Sequence, residues 1–110
     1  MTQTQAPASS QAGKLSRYDV ADHLRSPDEM AAYLDAWLEE FPSDISGIAR
    51  AVGDIARAKG MTQVAKDSGL SRESLYRALS KDGNPSFSTI LKVLSAVGLR
   101  LSVSVATKDG

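Results

Sequence analysis

The chain of 110 residues has no cysteine and only one histidine, His23, and this limits the chemistry that its side chains can perform. Without thiols there can be no disulfide and no thiolate metal site, and one histidine is too few for an imidazole cluster. We therefore expect no metal and no other cofactor, with His23 at the surface. No apolar run approaches the roughly 20 residues of a membrane span, and the N-terminus lacks the apolar core of a signal peptide. These absences favour a cytoplasmic protein.

Residue arrangements typical of catalysis are missing as well. No Ser-His-Asp set, phosphate-binding loop or pair of catalytic carboxylates stands out in the sequence. We expect a protein that is not an enzyme and has no small-molecule substrate. Hydrophobic residues make up 42% of the chain and charged residues 24%, which is ordinary for a globular protein with one modest core.

The formal net charge of zero conceals an uneven distribution. Residues 18–47 contain eight acidic residues and one base, Arg25, for a net charge of −7, whereas residues 48–108 contain ten bases and four acids, for +6. The second segment suits phosphate, while the first would repel phosphate and suits a basic protein. The alternative is that both segments simply carry the charges of solvated helices.

Capping residues and apolar spacing divide the chain into four parts. Residues 1–16 have too little apolar surface to order and are predicted to be a disordered tail. Residues 17–44 form an acidic helical region, residues 45–98 a domain of further helices, and residues 99–106 a strand. Inward stripes are predicted at Met30, Tyr33, Leu34, Trp37, Leu38 and Phe41, at Ile45, Ile48, Val52, Ile55 and Ala56, and at Ile90, Leu91, Leu94 and Val97. The fold predicted is all-α, with about five helices and one short C-terminal β-strand.

The C-terminal segment changes from helical to alternating periodicity. Leu99, Leu101, Val103 and Val105 occupy every second position, which is the pattern of a half-buried strand. Because a lone strand is unstable, we expect these residues to pair with another chain, either a second copy or a sheet edge of a different protein. The alternative is a strand that folds back on its own helices.

Residues 61–80 have the pattern of two short helices around a glycine turn. Thr62 is predicted to cap the first helix and Ser71 the second, and Gly69 stands where the turn needs a positive φ. Small and apolar residues line one side only, at Val64, Ala65, Leu70, Leu75, Ala78 and Leu79. This pattern indicates a helix-turn-helix, which inserts its second helix into the DNA major groove. Residues 45–98 are therefore predicted to be a helix-turn-helix DNA-binding domain. The alternative is a helical hairpin packed for structure alone.

The outward side chains of the second helix suit contacts with base edges. At 100° per residue from Leu75, the outer face and its flank are occupied by Arg72, Glu73, Tyr76 and Arg77. Phosphate contacts are predicted at Thr62, Gln63, Lys66, Ser71, Lys81 and Asn84. Since one such unit contacts few base pairs, we expect a homodimer on a palindromic, double-stranded operator.

Three segments carry a resemblance to a known family. They are the stretch from Gly53 to Met61, the run Leu70-Ser71-Arg72-Glu73-Ser74-Leu75-Tyr76-Arg77-Ala78-Leu79-Ser80 and the turn Gly83-Asn84-Pro85. Together they resemble the addiction-module antidote family. Its members are HigA-like antitoxins related to the phage-repressor type of helix-turn-helix, and the resemblance covers about residues 18–105. It implies a lambda-repressor-like fold and a protein that neutralises a RelE/ParE-type toxin, usually an mRNA-cleaving ribonuclease, and represses their shared operon. The wider pattern often has Gln where this chain has Met61, with Gln63 two residues later, whereas Arg72 falls at the usual base-contacting place.

In light of this resemblance, the acidic region becomes a candidate surface for a small basic toxin. Tyr33 and Trp37 would be anchors, and Glu39 and Glu40 would supply charge. The alternative is that the apolar stripe only fills this protein's own core. Two other functions also stay open: a stand-alone prophage-type repressor without a toxin, and a protein-interaction adaptor that has lost DNA binding.

Overall fold

The computed structural model describes residues 20, 22–80 and 82–106, and five α-helices lie wholly within this part of the chain, which contains no strand. The helices are α1 (Pro27–Glu40), α2 (Ile45–Lys59), α3 (Met61–Ser68), α4 (Arg72–Ala78) and α5 (Phe87–Ala96). The prediction of about five helices is confirmed for these residues, and the predicted disordered tail, residues 1–16, lies outside them. None of the described helices is both long enough and apolar enough to cross a membrane.

Four helices begin at side-chain caps. In each, a side-chain oxygen of the capping residue accepts a hydrogen bond of 2.9–3.2 Å from the backbone N–H three residues later. The capping residues are Ser26, Asp44, Ser71 and Ser86. These bonds satisfy N–H groups that have no partner inside the helix. Pro27 follows the first cap directly, at a position where its missing N–H costs nothing. The starts of α1, α2, α4 and α5 are thus determined by local sequence.

The start of α3 differs from the prediction. The helix begins at Met61, and Gly60 precedes it with a φ of +116° and no side-chain cap, so the predicted capping role of Thr62 is wrong. The Val64 N–H donates to the Gly60 carbonyl over 3.0 Å, which places the first turn two residues earlier than a cap at Thr62 would. Met61 is buried, and its anchoring in the core accounts for this earlier start.

Helix α2 lies at the centre of the molecule and packs against α1, α3 and α5, while α4 packs against α3. The largest fully buried side chains come from α2, α3, α5 and the α4 region, namely Val52, Ile55, Val64, Leu75, Leu79, Val93 and Leu94. Met30 and Leu34 add the inner face of α1 to the same cluster. All five helices therefore share one core, whose apolar burial is the main stabilising term.

Three residues assigned to inward stripes are exposed. Phe41 and Ile45 flank the turn between α1 and α2, beyond the end of the core. On α5, Leu91 is exposed and Val93 is buried in its place. Helical spacing places Leu91 and Val93 on opposite sides of Leu94. Helices α2 and α3 pack on α5 and cover the side on which Val93 lies.

The predicted C-terminal strand is not present. Residues 99–106 have no regular secondary structure, and Val103 and Val105 are 97% and 92% exposed. Leu99 is half-buried against the core and Leu101 is exposed. A strand needs a neighbouring strand for its backbone N–H and C=O groups, and the described part of this single chain has none. The role of these residues in dimerisation stays a prediction.

Candidate functional site

The turn between α3 and α4 has the predicted geometry. Gly69 has a φ of +80° and a left-handed conformation, and its N–H donates to the Ala65 carbonyl over 3.1 Å. The Ser68 hydroxyl donates to the same carbonyl and accepts from the Leu70 N–H. Leu70 packs half-buried against the core. These bonds give α4 a defined direction relative to α3.

Helix α4 presents one apolar face to the core and one polar face to solvent. Leu75 and Leu79 are buried on the inner side. The four predicted base-contacting side chains all lie at the surface: Arg72, Glu73, Tyr76 and Arg77. A face of this composition can donate bonds to guanine, accept one from cytosine and pack against a thymine methyl group.

The four outward side chains form two pairs one helical turn apart. The Arg72 guanidinium donates to the Tyr76 hydroxyl over 3.1 Å, and its carbon lies 5.4 Å from the Tyr76 ring centroid. An Arg77 nitrogen lies 3.5 Å from a Glu73 carboxylate oxygen. Exposed pairs of this kind contribute only a few tenths of a kcal/mol. They therefore arrange the side chains without preventing them from turning toward a ligand.

The predicted phosphate-contacting residues are exposed wherever the structure describes them, at Thr62, Gln63, Lys66, Ser71 and Asn84. Lys81 lies outside the described residues. The Gln63 amide donates to the Asp67 carboxylate over 2.9 Å, and the Ser71 hydroxyl is occupied as a helix cap. Met61, which stands where the wider family pattern has Gln, is buried and belongs to the core.

Gly83 contributes to this region in a way that sequence reasoning missed. A Cβ at Gly83 would lie 2.6 Å from the Arg77 carbonyl oxygen and closer still to that of Ala78. The chain therefore passes directly over the end of α4, and the Gly83 N–H donates to the Ser80 carbonyl over 2.9 Å. The sequence indicated only a turn here, because the approach depends on where α4 ends in space.

The predicted toxin-contacting residues of α1 divide into two groups. Glu39 and Glu40 are exposed, whereas Tyr33 and Trp37 are half-buried against the core. The Tyr33 hydroxyl donates to the Asp54 carboxylate over 2.7 Å, and an Arg57 nitrogen lies 2.9 Å from the other Asp54 oxygen. Asp54 is only 6% exposed, so these bonds offset the cost of burying its charge. Tyr33 thus joins α1 to α2.

Among the described residues, no three His, Cys, Asp or Glu side chains come together as metal ligands would.

Comparison with known proteins identifies the family. A family model of probable addiction module antidote proteins matches residues 14–105. An uncharacterised protein of Haemophilus influenzae is 49% identical to this chain over 90 residues, which cover 82% of the chain and 91% of that relative. No solved structure gives a significant match. The chain belongs to the family of probable addiction module antidote proteins, which confirms that part of the resemblance.

Proposed function

We propose that this chain is the antitoxin of a type II toxin–antitoxin module. It binds and neutralises a small basic toxin of the RelE/ParE type, and it represses its own operon by binding operator DNA as a homodimer. The antitoxin role is supported by the match to the antidote family over residues 14–105. The protein acts by binding, without a cofactor or catalysis of its own, in the cytoplasm where operator DNA lies.

The DNA-binding part of the proposal depends on one observation, the exposed polar face of α4. The α3–turn–α4 unit acts as a HigA-like helix-turn-helix of the phage-repressor type, with α4 in the major groove. Arg72 and Arg77 are long enough to grip guanine, and Glu73 can accept a bond from cytosine. Leu75 and Leu79, buried on the opposite side, hold the helix so that these side chains point outward together.

A mobility-shift titration with the chain's own promoter DNA tests this part. We expect the promoter to be bound more tightly than random DNA, with both affinities falling as salt rises because phosphate contacts release counterions. If the promoter is not shifted even at low salt, the DNA-binding proposal is wrong and an interaction adaptor is favoured. If the promoter is bound but no neighbouring gene encodes a small basic protein, a stand-alone repressor is favoured.

The homodimer is proposed to form through residues 99–106. Two copies of this segment can pair antiparallel about a twofold axis through Val103, which places each Leu101 opposite a Val105. The exposure of Val103 and Val105 leaves their backbones accessible for such pairing. Deleting residues 99–110 should convert the dimer to a monomer in sedimentation velocity, and an unchanged profile would contradict this interface.

The toxin-binding part is proposed to use the charge of α1. Replacing both Glu39 and Glu40 by Lys should weaken toxin binding at 150 mM salt, with a smaller loss at higher salt, since screening reduces interactions between exposed charges. The matched control replaces both Asp67 and Asp82 by Lys, since these are exposed carboxylates outside the acidic region and the net charge changes by the same amount. Unchanged toxin binding by the double variant would exclude an electrostatic role for these two residues.

A further inference from the structure

The turn between α1 and α2 carries an apolar surface that the core leaves uncovered. Phe41 is 44% exposed and Ile45 is 65% exposed, although both are large hydrophobic residues. The Trp37 and Phe41 rings lie 5.3 Å apart at an interplanar angle of 49°, so the two aromatic groups form one continuous surface. We call Trp37, Phe41 and Ile45, with the neighbouring carboxylates Glu40 and Asp44, the α1–α2 corner.

The corner is held in place by backbone contacts. The Phe41 N–H donates to the Trp37 carbonyl over 2.8 Å, and the Phe41 carbonyl accepts from the Asp44 N–H over 3.1 Å. A Cβ at Gly47 would lie 2.5 Å from both the Trp37 ring and an Asp44 carboxylate oxygen. The Trp37 ring therefore rests on the backbone of the first turn of α2, in space that only glycine leaves open. A surface already arranged in this way loses little entropy when a partner binds.

The charge around the corner limits the kind of partner that can cover it. Glu40 and Asp44 are exposed beside the apolar centre, within the segment 18–47 whose net charge is −7. DNA would be repelled, and a second copy placed corner to corner would bring the acidic rims together. An apolar centre with a charged rim is the usual composition of a protein–protein contact. The complementary partner is a basic protein with an apolar pocket.

We infer that the α1–α2 corner is the main contact with the toxin, with Phe41 and Ile45 entering an apolar pocket on its basic surface. This rests on the proposed function. It also moves the apolar centre of the toxin-binding surface away from Tyr33, whose hydroxyl is bonded to Asp54 within the protein. Trp37 contributes its outer edge, while Glu40 and Asp44 face basic groups of the toxin.

The test compares two double variants of the full chain that each replace two exposed apolar residues. The first is Phe41→Ser with Ile45→Ser, at the corner. The control is Phe87→Ser with Leu91→Ser, on α5, where the two side chains are 66% and 41% exposed. Binding is measured by calorimetry with the purified basic protein encoded beside this chain's gene, and promoter binding is measured in parallel.

We expect the corner variant to bind the toxin about 30-fold more weakly, as for loss of an interface hot spot. Its melting temperature and its promoter affinity should stay close to those of the wild type, and the α5 variant should keep full toxin affinity. Equal losses in both variants, or full toxin affinity in the corner variant, would overturn the inference while leaving the antitoxin function intact. Absence of toxin binding by the wild-type chain would instead overturn the proposed function together with this inference.

A second measurement uses Trp37 as the chain's single tryptophan. Labelling with 5-fluorotryptophan gives one ¹⁹F resonance from this chain, which should shift when unlabelled toxin is added and stay in place when promoter DNA is added. A resonance unmoved by saturating toxin would overturn the inference, even if the corner variant were unstable.

Discussion

The outward face of α4 and the α1–α2 corner differ in polarity, in charge and in how firmly their side chains are held. On α4, exposed side chains pair with one another across one helical turn, Arg72 with Tyr76 and Glu73 with Arg77. At the corner, the Trp37 ring rests on the backbone at Gly47. The first surface can rearrange to suit hydrogen-bonding groups of a ligand, whereas the second offers a fixed apolar shape.

The elements that carry the two surfaces both come close to α2, so one small core can support them. On one side, the Tyr33–Asp54 hydrogen bond joins α1 to α2. On the other, a Cβ at Gly53 would lie 3.1 Å from the Leu79 carbonyl oxygen, so α2 passes close to the end of α4. Two surfaces of opposite character are therefore supported by the same buried helix.

The largest effect should come from the core that the two surfaces share. Leu75→Ala should lower the free energy of unfolding by about 2–5 kcal/mol, through lost burial and the cavity left behind. Because Leu75 and Trp37 pack on one cluster, Trp37 fluorescence and far-UV circular dichroism should report the same, lower melting temperature. Leu91→Ala, at an exposed position on α5, is the control and should change little. Two separate transitions would show that the surfaces do not share a cooperative core.

The same substitution made beside each surface should have different consequences. Tyr33→Phe removes a hydrogen bond to the buried Asp54 carboxylate and should destabilise the protein by about 1.5–3 kcal/mol. Tyr76→Phe removes only an exposed bond from Arg72 and should cost a few tenths of a kcal/mol. Chemical denaturation of both variants measures the difference. Equal losses would mean that the Asp54 contact does not hold α1 to α2.

The α4 surface is tested by Arg72→Ala. Operator binding should weaken by about 1–3 kcal/mol, with a smaller loss on random DNA, if the guanidinium contacts a base edge. Arg50→Ala, which removes an exposed cation on α2, away from the α3–turn–α4 unit, is the control and should leave the preference for operator unchanged. An equal loss on operator and random DNA would mean that Arg72 contacts only phosphate.

Two glycines, one near each surface, should respond differently to replacement by alanine. Gly69→Ala should destabilise the protein by about 1–2 kcal/mol, because alanine is strained at a φ of +80° although nothing lies near its Cβ. Gly47→Ala has no such backbone strain but displaces Trp37 or Asp44, so the Trp37 emission should change. Emission spectra and melting temperatures distinguish the two cases. A changed Trp37 emission in Gly69→Ala would contradict this separation.

Local signals in the sequence predicted much of this fold correctly. Ser71 caps the start of α4, and Gly69 forms the turn before it. Both roles depend on hydrogen bonds and dihedral angles of nearby residues only, so they could be predicted. Burial was harder to predict. Leu91 and Val93 are both apolar and lie on opposite sides of Leu94, and only the packing of α2 and α3 on α5 decides which is covered.

The candidate sites were predicted to different extents. Helical geometry alone put Arg72, Tyr76 and their neighbours on the outer face of α4, since that face is defined by the buried Leu75. The exposure of Phe41 and Ile45 could not be foreseen, because their spacing continues the apolar stripes of two helices. Their position at a corner depends on how α1 turns into α2. The bond between Tyr33 and Asp54 joins residues 21 apart, beyond any local pattern.

The sequence by itself determined the helical class of the protein, the starts of four helices and the glycine turn before α4. It also determined the unequal charge of the two segments. All of these features depend on residues that are neighbours in the chain. Tertiary packing decided which apolar residues are buried, that Gly83 lies over the end of α4 and that an apolar corner stays exposed beside acidic groups. It also decided that residues 99–106 form no strand. Alternating side chains favour a strand, but only a neighbouring backbone can supply the hydrogen bonds that make one.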